Sequence, residues 1–201
     1  MNSADGPAGH AFRSLGQEVK IWPAAKLVNS ENISLGHRVI IDDFVLIISG
    51  PETRIGNFVH IASFTSITGG GTLVIEDYAG LSGGVRIYTG NEQYGGECMT
   101  NPTVPAPFRI PVRGAVTIRK HAIVGANSVI LPGVTIGEGA VVGACSLVTK
   151  DCAPWSVNLG VPARPIKTRP SAAVLRLEQE LVRKFYSPGG DFISSHDGTK
   201  N

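Results

Sequence analysis

The chain has 201 residues, a formal net charge of +2, 42% apolar residues and only 6% aromatic ones. A charge so near zero argues against nucleic acid or an anionic membrane surface as partner. No apolar run is long enough to span a membrane and no charged-then-apolar leader opens the chain, so the expected location is the cytoplasm.

Residues 1–13 are small, polar and Gly-rich, and read as a flexible tail in which His10 is inert. From Leu15 a period of 20 sets in. Leu15, Leu35, Ile55 and Ile75 form one column, Ile21, Ile41, Ile61 and Leu81 a second, and Leu27, Ile47, Ile67 and Ile87 a third. Inside each block the columns are six residues apart, and two extra residues enter at the third corner, as in Ser49-Gly50-Pro51 and Gly69-Gly70-Gly71. Neither a helix nor a lone strand repeats every six residues. A triangular coil does, with a short strand on each side and a tight corner between them. Such coils bury their inner face only by stacking on one another. Four of them span about 15–94.

Residues 89–115, TGNEQYGGECMTNPTVPAPFRIPVRGA, break the repeat. A long excursion of this kind in a compact domain is usually functional. The repeat then returns in its plainest form. Ile118, Val124, Ile130, Ile136, Val142 and Val148 follow at intervals of six, with Ala122, Ser128, Val134, Ala140 and Ser146 as small or branched companions packed beside them. These two coils bring the total to about six, a stack roughly 29 Å tall at strand spacing. Past Trp155 the hexads stop. Ser171 is placed to cap a helix over 172–186 with Val174, Leu177, Leu181 and Phe185 on one face, expected to cover the open end of the stack. The polar tail after it, with His196, is expected to fray. The parts are thus a tail over 1–13, the repeat domain over 14–165 and a C-terminal helix and tail over 166–201. Cys98, Cys145 and Cys152 are odd in number, lack metal spacing and read as reduced thiols.

The hexads, together with Gly143-Ala144, Thr149-Lys150-Asp151 and Gly160-Val161-Pro162-Ala163-Arg164, resemble the hexapeptide-repeat acyltransferases. The resemblance implies an all-β fold, a left-handed parallel β-helix, with a protruding loop and a C-terminal helix. It implies a homotrimer and acetyl-CoA as acyl donor. It places Ala126 and Ala144 where backbone amides meet the pantetheine arm, and Thr149, Lys150 and Arg164 near the phosphates of the cofactor. It also implies that the loop reaches a neighbouring subunit beside the active site.

Acyl transfer from a thioester needs a base, donors for the carbonyl oxygen and a cleft that aligns the donor. Of the five His, two lie in the tails, and His37 and His121 stand at corners where side chains should face water. His60 points outward from a regular strand, and its equivalent one coil on is Gly80, which leaves space beside the ring. The maltose and galactoside acetyltransferases carry their base in a Y-T-x-x-H-P segment. Here the matching stretch is Tyr88-Thr89-Gly90-Asn91-Glu92, with Glu92 in place of His. So either His60 is the base and Glu92 an acceptor contact, or Glu92 is the base. The segment from Tyr88 through Tyr94 is closer to acyltransferases of surface-polysaccharide biosynthesis, which makes Tyr88, Asn91 and Tyr94 candidate acceptor contacts.

The leading reading is therefore acetyl transfer to a hydroxyl or amino group of a sugar or sugar nucleotide. The alternatives are a chloramphenicol- or streptogramin-type O-acetyltransferase, or a non-catalytic scaffold. A zinc hydratase of the γ-carbonic-anhydrase kind would need two His five residues apart on one strand, and no pair has that spacing, so no metal site is expected.

Overall fold

The computed structural model describes residues 11–193 together with the strand Ala4–Asp5; His10 and His196 lie outside the described residues. The chain divides into two compact units, Met1–Arg169 and Pro170–Asn201.

The first unit is a parallel β-helix with three faces. One face stacks Ser14–Leu15, Ile33–Leu35, Thr53–Ile55, Leu73–Ile75, Val116–Ile118 and Thr135–Ile136. The second stacks Lys20–Ile21, Ile40–Ile41, His60–Ile61, Gly80–Leu81, Ile123–Val124 and Val141–Val142. The third runs from Lys26–Val28 to Leu147–Val148. The strand register joins the columns read from the sequence: Leu15 to Leu35 to Ile55 to Ile75 to Ile118 to Ile136 on the first face. The third face pairs Leu27 with Ile47, then Ile67, Ile87, Ile130 and Val148. Six coils close, and Ser156–Gly160 with the Ile136–Cys152 bridge starts a seventh. Strand Ala163–Thr168 turns back antiparallel on Ser156–Gly160.

The core is a single aliphatic column, and the small companions are as buried as the large residues: Ala122, Ser128 and Ala140 have no exposed surface. The buried Ser128 is satisfied by donating from Oγ to the Gly143 carbonyl at 2.8 Å, as a buried hydroxyl must be. Cys152 is buried too. Burial first, then the neighbouring Asp151 charge, push its thiol up to about 11, so it stays protonated and inert at neutral pH.

The corners carry a regularity of their own. Glu18, Arg38, Phe58, Tyr78, His121 and Trp155 all have φ between 54° and 60°, left-handed values that non-Gly residues rarely take. Each stands at the same corner of its coil, between the first and second faces. Their rings stack: Phe58 on Tyr78 at 5.4 Å and Tyr78 on His121 at 5.0 Å, with Trp155 6.4 Å further on. Arg169 ends the stack by donating to the carbonyls of His121 and Gly139. Polar residues one position earlier form a second ladder. The backbone N–H groups of Gln17, His37 and Asn57 donate to the side chains of His37, Asn57 and Asp77 at 3.0, 2.8 and 2.7 Å.

Four expectations change. Phe12, inside the segment read as a tail, is fully buried in the core, and its strand Ala11–Phe12 pairs with Ala4–Asp5. His121 does not face water; it is buried in the corner stack. The helix runs over Ala172–Phe185 as expected, but Ser171 has helical dihedrals and makes no side-chain cap bond. The residues after it do not simply fray: Phe192 bridges back to Tyr186, and Ile193 N–H donates to the Phe185 carbonyl at 2.7 Å.

Candidate active site

On the second face the outward row runs Lys20, Ile40, His60, Gly80, Ile123. His60 Nε2 lies 3.0 Å from Oδ2 of Asp42, and the imidazole is 53% exposed. A carboxylate only accepts, so Nε2 carries the proton. In the neutral ring Nδ1 is then left as an acceptor, the state a general base needs. Beyond the ring is an open hollow of about 320 Å³ lined by His60, Ala62, Gly80, Ser82 and Ile123 among others. A methyl built on Gly80 would meet nothing within 4 Å. The space inferred beside His60 is there.

Sequence reasoning missed Asp42 and Ser82. Asp42 stands 18 positions before His60 rather than one period of 20, so it sits off the column and reaches across to it. The signal was the pair of acids, Asp42-Asp43, closing the strand one coil below. His37 belongs to the corner ladder, its Nδ1 accepting from Gln17 N–H, and is half-buried.

The excursion has a stem in which Gly90–Asn91 pairs antiparallel with Val112–Arg113, and a short 3₁₀ turn at Ala106–Phe108. Just above the stem, Arg109 Nη1 donates to Glu92 Oε1 at 2.8 Å, with both side chains about three-quarters buried. The other oxygen, Glu92 Oε2, is buried and has no hydrogen-bond partner. A buried carboxylate oxygen needs a hydrogen-bond donor, which a water, a ligand or a neighbouring chain can supply. Within one chain His60 and Glu92 share no hydrogen bond, and Glu92 does not line the hollow. Tyr88 lies half-buried on the third face, Asn91 is half-buried in the stem, and Tyr94 is 82% exposed on the loop.

On the donor side, Cys145 N–H donates to the Ala126 carbonyl at 2.8 Å, which stacks the Ala126 and Ala144 corners one above the other. Each Ala follows a Gly: a methyl on Gly125 would lie 2.6 Å from the backbone N of Ala144, which leaves it no room, while one on Gly143 would meet the end of the Leu159 side chain at 2.4 Å. The result is a stepped edge of small residues, with the Leu159 side chain beside Gly143. Thr149 and Lys150 follow strand Leu147–Val148, and Arg164 sits in the last hairpin, all three exposed. Among the described residues neither Lys150 nor Arg164 forms an ion pair. No group of His, Cys, Asp or Glu suited to a metal occurs among the described residues. No helix there is long and apolar enough to cross a membrane.

Comparison with known proteins identifies the family to which this fold belongs. The bacterial transferase hexapeptide (six repeats) pattern matches residues 115–150. The chain is 44% identical over 168 residues to a dTDP-4-amino-4,6-dideoxy-D-glucose acyltransferase of Escherichia coli, covering 83% of this chain and 87% of that one. It is 31% identical over 143 residues to an O-acetyl transferase assigned to lipopolysaccharide biosynthesis in Escherichia coli K12, covering 68% and 69%. Among solved structures, the N-acyltransferase AntD from Bacillus cereus, in complex with dTDP and 3-hydroxybutyryl-CoA, superposes with a TM-score of 0.81 at 37% identity, over 86% of this chain and 91% of that one. The chain belongs to the hexapeptide-repeat acyltransferases, enzymes that use the β-helix as scaffold.

Proposed function

We propose that this protein moves an acyl group, acetyl in the simplest case, from acyl-CoA to the amino group of a dTDP-linked 4-amino-dideoxy sugar. The observation that carries the chemistry is the His60–Asp42 pair facing an open hollow. The acceptor class rests on the relative of 44% identity, whose match extends over most of both chains. The acylated nucleotide sugar is a glycosyl donor for surface polysaccharide. Nucleotide sugars and acyl-CoA are both made in the cytoplasm, which is where we place the enzyme.

In the step itself the amine nitrogen attacks the thioester carbonyl. A C–N bond forms, the C–S bond breaks, and the products are an amide and a free thiol. His60 Nδ1 takes the proton that leaves nitrogen, and the departing sulfur takes up a proton. Asp42 holds the ring in the tautomer and orientation this requires. The roles follow by position. Ala126 and Ala144 border the pantetheine arm, while Thr149, Lys150 and Arg164 meet the phosphates. Glu92 Oε2 accepts a hydrogen bond from the incoming sugar, with Tyr88, Asn91 and Tyr94 around it.

Because His60 and Glu92 share no hydrogen bond within one chain and Glu92 does not line the hollow, the reading includes a homotrimer in which the loop of one subunit meets the second face of the next. The test is turnover of acetyl-CoA against a panel of dTDP-4-amino-4,6-dideoxyglucose, the matching sugar without an amine, and chloramphenicol, followed by thiol release and product mass. Thiol release only with the amino sugar is expected. Preference for chloramphenicol, or no transfer to any amino sugar nucleotide, would overturn the proposal.

A further inference from the structure

Gly80 is out of place. Among the described glycines it alone combines an ordinary φ with open space where a methyl would stand. Most face an atom within 4 Å of where a methyl would stand. The three others with open space, Gly96, Gly133 and Gly190, have φ of +83°, +82° and +89°, which favour glycine. Gly80 has neither a left-handed φ nor a contact within 4 Å, and it lies within a strand, where glycine weakens pairing. The fold itself does not require glycine here, which leaves the room beside His60 open to a ligand.

The surroundings say of what kind. His60 lies beside Gly80 in register on one side and Ile123 on the other. Ala62, Leu81, Ser82 and Gly83 also line the hollow. No Lys or Arg lines it, so the phosphates of a nucleotide have no partner there. A bare backbone floor flanked by Ile123, with the base at its edge, suits a short acyl chain whose carbonyl sits against His60. Resting on the acyl-transfer reading above, we infer that Gly80 is the specificity-determining floor of the acyl seat and lets the enzyme take donors longer than acetyl.

The experiment compares the full-length protein with Gly80→Ala and Gly80→Val, using acetyl-CoA and butyryl-CoA with the amino sugar nucleotide. A lost or gained methylene in an apolar pocket shifts discrimination by about 10–200-fold. The ratio of kcat/KM for butyryl over acetyl should therefore fall about tenfold or more in Gly80→Ala, and further in Gly80→Val. Oligomer mass and melting temperature should hold, because the added methyl enters open space. An unchanged ratio would overturn the inference. So would loss of the oligomer in both variants, which would assign the space to a neighbouring subunit. If the parent turns over neither donor, the acyl-transfer reading fails instead. Calorimetry then still decides the seat: butyryl-CoA binding more tightly than CoA to the parent but not to Gly80→Val supports it, and equal binding to both proteins overturns it.

Discussion

At the scale of single residues, the proposed site depends on one imidazole and the group that orients it. His60 is half-exposed and held at 3.0 Å by Asp42, so its ring is directed while one nitrogen stays open to the hollow. Removing a general base costs about 10²–10⁴ in rate. His60→Ala is expected to lower kcat/KM by that much with coenzyme A affinity nearly intact. Asp42→Asn should fall between the parent and His60→Ala, since it leaves the base in place but no longer fixes its tautomer. Glu92→Gln keeps the shape of the group and should lose less than His60→Ala. Steady-state kinetics and calorimetry on the three variants check the order. If His60→Ala keeps parent activity while Glu92→Gln is dead, the loop carboxylate is the base and the role given to His60 is wrong.

At the scale of elements, the coil is the unit that the sequence wrote most plainly. A closed triangular coil forces equal side lengths, so inward residues recur at fixed intervals, and pairs such as Ile61 with Leu81 could be named from spacing alone. Features that depend on reach across coils were not legible. Asp42 meets His60 from two residues off its column. His121 joins the ring stack of Tyr78, but the excursion separates them by 43 positions and hides the shared corner. The ion pair of Glu92 with Arg109 is closed by a loop that has no period at all. The corners themselves carry strain that can be tested. Cys145 is exposed with φ 56°, at a corner where the coil with Gly84 uses glycine. A left-handed non-Gly residue costs about 1–2 kcal/mol, while glycine costs about 0.5–1 kcal/mol in unfolded-state freedom. Cys145→Gly is therefore expected to stabilise the fold by up to about 1 kcal/mol. A urea midpoint that moves downward would show that the thiol, not the backbone, matters at this corner.

At the scale of the whole molecule, the question is what completes a site that one subunit leaves open. The hollow beside His60 lies on an outer face, and an acyl transfer site has to exclude water. The same unit exposes large apolar side chains that a monomer rarely leaves in water. Phe44 and Phe64 stack at 5.2 Å on one corner while 60% and 62% exposed, and Met99, Phe108 and Ile110 on the loop are 59–65% exposed. Two different apolar surfaces on one chain suit a heterologous contact, and a heterologous contact that closes makes a ring. The loop of one copy against the face of the next would bring Glu92 toward a hollow that its own chain does not let it line. Light scattering is expected to give three times the 21.1 kDa chain mass. Phe44→Asp with Phe64→Asp, or Phe108→Asp with Ile110→Asp, should yield monomers with parent-like circular dichroism and no transfer activity. A lone 21.1 kDa species that turns over the amino sugar at micromolar concentration would mean that each chain builds its site alone, and the loop would then need another role.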